Sequence, residues 1–353
     1  MLGQSTAQRS SFCSVETNQT AVQDEPTNHA GRTTHVRPAS LLSTFEPNFA
    51  SLTDFTPDDR TAMQDGRISA LAASLAPLAL RGEPASPPSD EQLAVAMATL
   101  RRLVFPALRS HAGALADNSP TEDTPSGPEL ARRFAELFDD LARDAYRASK
   151  LPFDPSAVER FFSLIPSIAA RLESDVRAAY RGDPAAQNEL EIIICYPGVR
   201  ALFVHRFAHA LDALGVPLLP RMMSEFAHRE TGIDIHPAAR IGDELFIDHG
   251  TGVVIGQTAV IGDRCRIYQG VTLGAKNFER EPDGSLRRGY RRHPTLEDDV
   301  TVYAGATILG GDTVIGRGSV VAGGVFLTKS VPAGHLVTGP KLQLRVLSIE
   351  DGI

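Results

Sequence analysis

Between Ile235 and Phe326 an aliphatic or small residue recurs every six positions, with one polar interruption at residues 276–293. A period of six fits neither the helical repeat nor the alternation of a single strand. It is typical of a parallel β-helix, in which three short strands form a triangular coil of about eighteen residues. The thirteen positions predicted to point inward are Ile235, Ile241, Ile247, Val253, Ala259, Cys265, Val271, Leu296, Val302, Ile308, Val314, Val320 and Phe326.

The alternative for this region is a β-sandwich of short strands. Its turns would fall every 8 to 12 residues or so and would not keep one phase for so long. Because the six-residue pattern resumes after the interruption, residues 276–293 are predicted to be a loop that leaves an intact stack of coils. Long loops in compact domains are usually functional. Glycines near the predicted corners, such as Gly256 and Gly310, are expected to adopt positive φ.

Helical periodicity precedes the repeats. Ser89 and Gln92 match a capping box ahead of the first apolar stripe, and Asp154 followed by Pro155 predicts a later helix start, with a kink at Pro166. Further helices are predicted at about 187–214 and 217–229. The predicted organisation is α+β: a disordered extension at 1–88, an α-helical domain at 89–230, a β-helix domain at 231–340 and a tail at 341–353.

The composition limits the classes of molecule that the protein is expected to bind. Acidic residues outnumber basic ones by 43 to 35 without any basic block, which argues against nucleic acid and anionic membranes. No apolar run is long enough to span a bilayer. The three cysteines lie far apart without CxxC spacing, which fits a reducing cytoplasm. A transit peptide competes with disorder for the first 43 residues, but the acidic residues in that stretch weigh against it.

Several polar side chains interrupt the early coils. Asp234 and His236 flank one inward position, and Asp248 and His249 follow another. The inward positions beside Asp234 and His249 are two hexads apart in a coil of about eighteen residues. These two side chains would therefore meet only across a corner or between subunits, and the sequence leaves both possibilities open. After the loop the chain returns through Arg291, Arg292 and His293.

The stretch GIDIHPAARIGDELFIDHGTGVVIGQTAVIG, followed by YQGVTLGAK and RRHPTLEDDVTVYAGATILGGDTVIGRGSVV, resembles the serine O-acetyltransferase family over about residues 175–340. The resemblance implies a left-handed β-helix and the first step of cysteine biosynthesis. In that step acetyl-CoA and L-serine give O-acetyl-L-serine and CoA by direct transfer, without a covalent enzyme intermediate. The loop AKNFEREPDGSLRRGYRRHP is similar to that of the family's extended-loop branch.

The same resemblance implies residue roles. His249 corresponds to the general base, which suits an imidazole because its usual pKa lies near 6.5. Asp234 corresponds to the carboxylate that orients this imidazole. Asp183 and Asp248 correspond to partners of the serine ammonium group. Arg292 and His293 correspond to partners of its carboxylate, which a guanidinium can bind with two hydrogen bonds.

Acetyl-CoA is expected in a groove between the coils of two subunits. There the family uses backbone groups of small residues, and the positions that correspond are Gly274, Ala275, Ala304 and Gly305. Backbone N–H groups in this groove are also expected to stabilise the oxyanion. Lys341 is predicted to contact a phosphate of CoA. The active unit implied is a homotrimer or a dimer of trimers.

Two further partners follow from the resemblance. L-Cysteine is expected to act as feedback inhibitor in the serine site. The tail ending at Ile353 is expected to bind cysteine synthase through capture of its terminal carboxylate. One departure from the family is Gln257, which stands where many relatives have glutamate, so the role of that carboxylate is in doubt here.

Three alternatives remain open. Another hexapeptide-repeat acyltransferase would act on a sugar or a different amino acid, and would be expected to lack the pair formed by Asp183 and Arg292. A γ-type carbonic anhydrase would need three histidines on zinc, for which His236, His249 and His293 supply the count. A non-catalytic scaffold that holds a partner enzyme would tolerate the loss of His249.

Overall fold

The computed structural model describes residues 87–108 and 125–340. The predictions for the extension up to residue 86, for Lys341 and for the tail ending at Ile353 lie outside the described residues. Within them, a helical part precedes a left-handed parallel β-helix, as the six-residue period and the helical stripes predicted. None of the helices in the two described ranges has both the length and the apolar character needed to cross a bilayer.

The helical part follows the predicted start signals. Ser89 accepts a hydrogen bond from the backbone N–H of Gln92, and Asp154 caps a helix that begins at Pro155. Pro166 lies inside that helix, which continues to its end at Gly182. The helices are α1 (Asp90–Val104), a 3-10 turn (Pro106–Leu108), α2 (Gly127–Ala148), α3 (Pro155–Gly182), α4 (Glu189–Cys195), α5 (Pro197–Ala213) and α6 (Leu219–Thr231).

One predicted helix, at about 187–214, is two helices. The break falls at Tyr196, whose backbone is extended with φ −81° and ψ 118°. Pro197 causes it, because proline lacks an N–H group and disfavours the helical conformation of the residue before it. The second of the two helices, α5, starts against the first coil of the β-helix, where Gly198 contacts Ile247.

The β-helix consists of three parallel sheets. Sheet A contains β1, β4, β7, β10 and β13, sheet B contains β2, β5, β8 and β11, and sheet C contains β3, β6, β9, β12 and β14. The strands are β1 (Asp234–Ile235), β2 (Arg240–Ile241), β3 (Phe246–Ile247), β4 (Val254–Ile255), β5 (Val260–Ile261), β6 (Arg266–Ile267), β7 (Thr272–Gly274), β8 (Thr295–Leu296), β9 (Thr301–Val302), β10 (Thr307–Leu309), β11 (Val314–Ile315), β12 (Val320–Val321), β13 (Phe326–Leu327) and β14 (Leu336–Val337).

The strand register corrects the predicted inward positions after Ile247. Ile235 pairs with Ile255, so the first coil is two residues longer than predicted, and the extra residues lie in segment 248–252. The predicted positions Val253, Ala259, Cys265 and Val271 are buried, but they lie at corners instead of in strands. Because corner and strand positions are both apolar, hydrophobicity alone does not distinguish the two phases.

The predicted inward positions differ from the structure a second time after Ile308, which is predicted correctly. Ile308 stacks on Leu273 in sheet A, whereas the next inward residue is Ile315 instead of the predicted Val314. The additional residue lies in the turn between β10 and β11. This difference of one residue continues to the last predicted inward position, Phe326, which is 67% exposed.

A buried ion pair joins the helical part to the first coil. Arg206 of α5 makes two hydrogen bonds of 2.6 Å to Asp175 of α3, and both side chains are almost wholly buried. Asp175 also accepts from the backbone N–H of Leu245, while Arg206 donates to the carbonyl of Gly242. These bonds fix α3 and α5 against the turn that precedes β3.

Candidate active site

The predicted site residues lie at the two corners of the β-helix that flank sheet A, which we call its edges because the strands of the sheet begin at one and end at the other. At one edge the chain passes from sheet C to sheet A, and the acidic corner there contains Asp183, Tyr196, Asp248 and His249. At the other edge it passes from sheet A to sheet B, and the basic corner there contains His236, Gln257, Arg292 and His293. Each corner holds one half of the predicted serine site.

The acidic corner includes the lengthened turn of the first coil. His249 has φ of 54°, a left-handed conformation that is uncommon for residues other than glycine. Its side chain is 72% exposed, and its Nε2 lies 3.9 Å from Oδ1 of Asp248. The backbone N–H of Asp248 binds the carbonyl of Ile267 in the next coil. The turn is therefore anchored on one side and presents an imidazole to solvent on the other.

Asp183 reaches this corner from the end of α3. Its Oδ1 accepts from the backbone N–H of Ala185 at 2.8 Å, and its Oδ2 accepts from the hydroxyl of Tyr196 at 2.5 Å. These bonds, the Tyr196 bond first, and the nearby imidazole of His249 hold the pKa of Asp183 below its usual value. The structure thus brings Asp183, Asp248 and His249 together around one fixed negative charge.

A column of glycines rises from the same corner. All four members have positive φ, between 67° and 78°, and they stack coil upon coil. The corner between sheets B and C has the same backbone conformation, but there Glu244, Arg264 and Asp299 adopt it. The turn itself therefore does not require glycine, and glycine at this position of each level adds no side chain to an edge that also carries the stacked rings of Tyr268 and Tyr303. The column consists of Gly252, Gly270, Gly305 and Gly324.

At the basic corner His293 is buried and held in one orientation. Its Nδ1 accepts from the backbone N–H of Thr258 at 3.1 Å and lies 2.9 Å from the hydroxyl of the same residue. Burial, and then the charges of Arg292 and His236, lower the pKa of His293 to about 4. The ring is neutral near pH 7, and because Nδ1 accepts, its proton lies on Nε2. His293 is therefore an uncharged donor.

Arg292 lies beside this ring. Its Nη2 donates to Oε1 of Gln257 at 2.7 Å, and its backbone N–H donates to the hydroxyl of Thr258 at 2.9 Å. The His293 ring fills the space that a side chain on Gly256 would need. The expected positive φ is thus wrong for Gly256, where close approach is the reason for glycine, and confirmed for Gly310, with φ of 106°.

The remaining predicted residues are divided between the edges. In the described part of one chain, Asp234 and His249 share neither a hydrogen bond nor an ion pair. Burial is the main cause of the lowered pKa of His236, and the nearby carboxylate of Asp234 opposes that shift. Gly274 is at the basic edge, where its carbonyl binds the N–H of Gly310. A single chain therefore does not bring together the two halves of the predicted acetyl-CoA site, which are Gly274 with Ala275 and Ala304 with Gly305.

Two residues of the site were not predicted. Thr258 fixes His293 and the Arg292 backbone through its hydroxyl. Tyr196 fixes Asp183 across a helix break. The sequence signal for Tyr196 is Pro197, since the residue before a proline marks a probable helix end. Among the residues that the structure describes, no group of three histidine, cysteine or acidic side chains is arranged to hold a metal ion.

Comparison with known proteins places these features in context. No family model matches the chain. The chain is 45% identical over 277 residues to a plasmid-encoded serine acetyltransferase of Synechococcus elongatus, covering 75% of this chain and 85% of that one. It is 48% identical over 168 residues to the serine acetyltransferase of Mycobacterium tuberculosis, covering 48% and 69% of the two chains. The crystal structure of Entamoeba histolytica serine acetyltransferase 1 in complex with L-cysteine superposes with a TM-score of 0.60 at 34% identity, covering 78% of this chain and 99% of that one.

Proposed function

The chain belongs to the serine acetyltransferase family and is an acyltransferase, and we propose that it transfers the acetyl group of acetyl-CoA to the hydroxyl of L-serine, as the first step of cysteine biosynthesis. The observation that carries this proposal is the pair of half-sites at the two edges of sheet A. One half is anionic and contains an exposed imidazole, and the other contains a guanidinium and a neutral imidazole donor. Together they complement an amino acid in its zwitterionic form.

The two halves come from adjacent subunits of a homotrimer, in this proposal. They lie at opposite edges of the same sheet, so they cannot both face one serine molecule within a single coil. Rotation about a threefold axis brings the acidic corner of one copy against the basic corner of the next. The same contact would bring Asp234 of a neighbouring copy to His249. Pairing of two trimers through the helical part is the larger assembly that we propose to test.

His249 acts as the general base. Its exposure and its left-handed backbone direct the imidazole away from the coil, toward the space where the partner subunit supplies the carboxylate pocket. The imidazole accepts the serine hydroxyl proton as the oxygen attacks the thioester carbonyl. The carbon–oxygen bond forms, the carbon–sulfur bond breaks, and the thiolate of CoA takes the proton back from the imidazolium. Asp234 stabilises that imidazolium.

The charged groups orient the amino acid. Asp183 and Asp248 face the ammonium group, and Arg292 and Nε2–H of His293 face the carboxylate. Because Gln257 is neutral, it orients Arg292 through a hydrogen bond without cancelling its charge. This charge is then available to the serine carboxylate, where a bidentate hydrogen bond is favourable.

Acetyl-CoA extends along the glycine column above His249. The glycine column supports this position, because residues without side chains leave their backbone groups accessible to the pantetheine arm. Ala304 and Gly305 contribute from one subunit, and Gly274 and Ala275 contribute from the neighbouring one. Backbone N–H groups along this edge stabilise the oxyanion of the tetrahedral intermediate.

L-Cysteine competes with serine in this site. The serine acetyltransferase 1 of Entamoeba histolytica, which this chain resembles in structure, was crystallised with L-cysteine. Cysteine has the same ammonium and carboxylate groups as serine. We propose further that Lys341 contacts CoA, that the tail ending at Ile353 binds cysteine synthase, and that the enzyme acts in the cytoplasm, where the unpaired thiols of Cys195 and Cys265 would remain reduced.

A thiol-release assay with acetyl-CoA tests the activity. Serine, homoserine and a set of amino sugars are compared as acceptors, and serine is expected to give the highest kcat/KM. A higher kcat/KM for an amino sugar would favour another hexapeptide-repeat acyltransferase. Carbon dioxide hydration that depends on stoichiometric zinc would favour the carbonic anhydrase alternative.

A further inference from the structure

The hydroxyl of Tyr196 lies among the carboxylates of the acidic corner. Tyr196 is the residue between α4 and α5, and its side chain is half-buried. Two residues later, Gly198 packs so closely on β3 that a side chain there would overlap the backbone of Ile247. Asp248 directly follows Ile247. The helix break therefore holds the phenol of Tyr196 beside the strand end from which Asp248 projects.

The phenol donates its proton to Asp183. The bond from the Tyr196 hydroxyl to Oδ2 of Asp183 is 2.5 Å, within the range of a charge-assisted bond between a hydroxyl and a carboxylate. The other oxygen, Oδ1, accepts from the N–H of Ala185. An ionised carboxylate has about four lone-pair positions, so two remain for a ligand. Asp183 is thus fixed in orientation without being saturated.

Charge keeps the Tyr196 proton in place. The pKa of Tyr196 is raised strongly, first by the hydrogen bond to Asp183, then by burial and by the negative charges of Asp183, Glu191 and Asp248. In the opposite direction, the Tyr196 bond is the largest cause of the lowered pKa of Asp183. The phenol remains a donor throughout the physiological pH range, and the carboxylate remains ionised.

We propose that Tyr196 is a positioning residue that determines recognition of the substrate's α-ammonium group. It acts through Asp183, by orienting this carboxylate toward Asp248 and His249 and by keeping it ionised next to a second carboxylate. The inference rests on the proposed function, since it assigns the acidic corner to the ammonium of serine. It predicts that loss of the Tyr196 hydroxyl weakens binding of the amino acid alone, because the positions proposed for acetyl-CoA form no hydrogen bond with Tyr196 or Asp183 among the described residues.

Tyr196→Phe removes the hydroxyl and keeps the ring. The KM for serine should rise about tenfold, as expected for loss of one hydrogen bond to a charged group, with kcat and the KM for acetyl-CoA within about twofold. The inhibition constant of L-cysteine should rise by the same factor as the KM for serine. Because the carboxylate of Asp183 loses its main stabilising donor, its pKa rises toward the usual value.

Tyr180→Phe is the matched control. Tyr180 lies near the end of α3, the helix that Asp183 directly follows, and is 42% exposed. All kinetic constants of this variant should match those of the wild type. In an Asp183→Asn background, Tyr196→Phe should have no further effect on the KM for serine. Thermal melting of each variant distinguishes this result from loss of folded protein.

Two outcomes would overturn the inference. In one, Tyr196→Phe keeps the wild-type KM for serine and the wild-type inhibition constant of L-cysteine, while the wild type acetylates serine normally. In the other, the KM values for serine and acetyl-CoA rise equally, which is the result of a general structural defect. Failure of the wild type to acetylate serine would instead reject the proposed function.

Discussion

At the acidic corner the side chain of His249 is 72% exposed on a turn with two additional residues, whereas at the basic corner His293 is 7% exposed and bonded on Nδ1. In the proposed function the first imidazole gains and loses a proton, and exposure on a left-handed residue leaves it accessible for that purpose. The second stays neutral and keeps one orientation in that proposal, and burial beside Arg292 favours both. The same residue type is thus adapted to two tasks by its surroundings.

The largest effect is expected from the exposed imidazole. His249→Asn should lower kcat by about 10² to 10⁴, because no other group of the acidic corner is suited to accept the serine proton. Asparagine is preferred to alanine, since it tolerates the left-handed backbone. Thiol release measures the loss, and the melting temperature should change little. His228→Asn, at an exposed histidine of α6, is the control; near-normal turnover of His249→Asn would contradict the assignment of the base.

Mixing variants tests whether the two corners belong to different subunits. His249→Asn and Arg292→Ala are each expected to be inactive as pure proteins. Co-assembly into trimers should restore about one third of the wild-type activity in the purified mixed trimers, because one of the three interfaces in each mixed trimer has both corners intact. Activity is measured by thiol release after co-expression with two affinity tags and sequential purification. Recovery of no activity in verified mixed trimers would mean that one chain supplies both corners.

A smaller change is expected at Gln257. Gln257→Glu would place a negative charge beside the guanidinium of Arg292, which now donates a hydrogen bond of 2.7 Å to the neutral amide of Gln257. The KM for serine should rise about threefold, in the range typical of a partly exposed ion pair, with the KM for acetyl-CoA unchanged. Steady-state measurement of the KM values for serine and acetyl-CoA tests this prediction. A lower KM for serine would show that the carboxylate improves the orientation of Arg292 more than it reduces its charge.

The smallest effect concerns stability and pH. The pKa of His293 is about 4 in the folded chain, below the usual value of 6.5. Between these two pH values the unfolded chain binds a proton that the folded chain does not, so folded stability decreases as the pH falls from about 6.5 to about 4. His293→Asn should flatten this dependence without removing it, because burial also lowers the pKa of His205 and His236. Calorimetric melting temperatures measured across this range provide the test; an unchanged slope would contradict it.

The sequence predicted the architecture because each coil buries a repeating apolar position, and the corrections occur where residues are inserted. The two additional residues of segment 248–252 shift the phase, yet Val253 is as buried as the strand residue Ile255. The sequence carries no signal of this lengthened turn, because the buried corner positions continue the six-residue pattern. The bond from Tyr196 to Asp183 was not predictable either, since it depends on the angle between two helices that only packing on β3 defines.

The number of coils sets the length of the glycine column along the axis of the β-helix. Neighbouring strands in a sheet are about 4.8 Å apart, so the three steps from Gly252 to Gly324 correspond to about 14 Å. In the proposed function, a thioester that reaches His249 must belong to an arm of fixed length lying along these steps. Inserting or deleting one complete coil would displace the far end of the arm by one step. Insertions at the basic edge, such as residues 276–293, leave that length unchanged, so the fold can vary its loops freely but not its height.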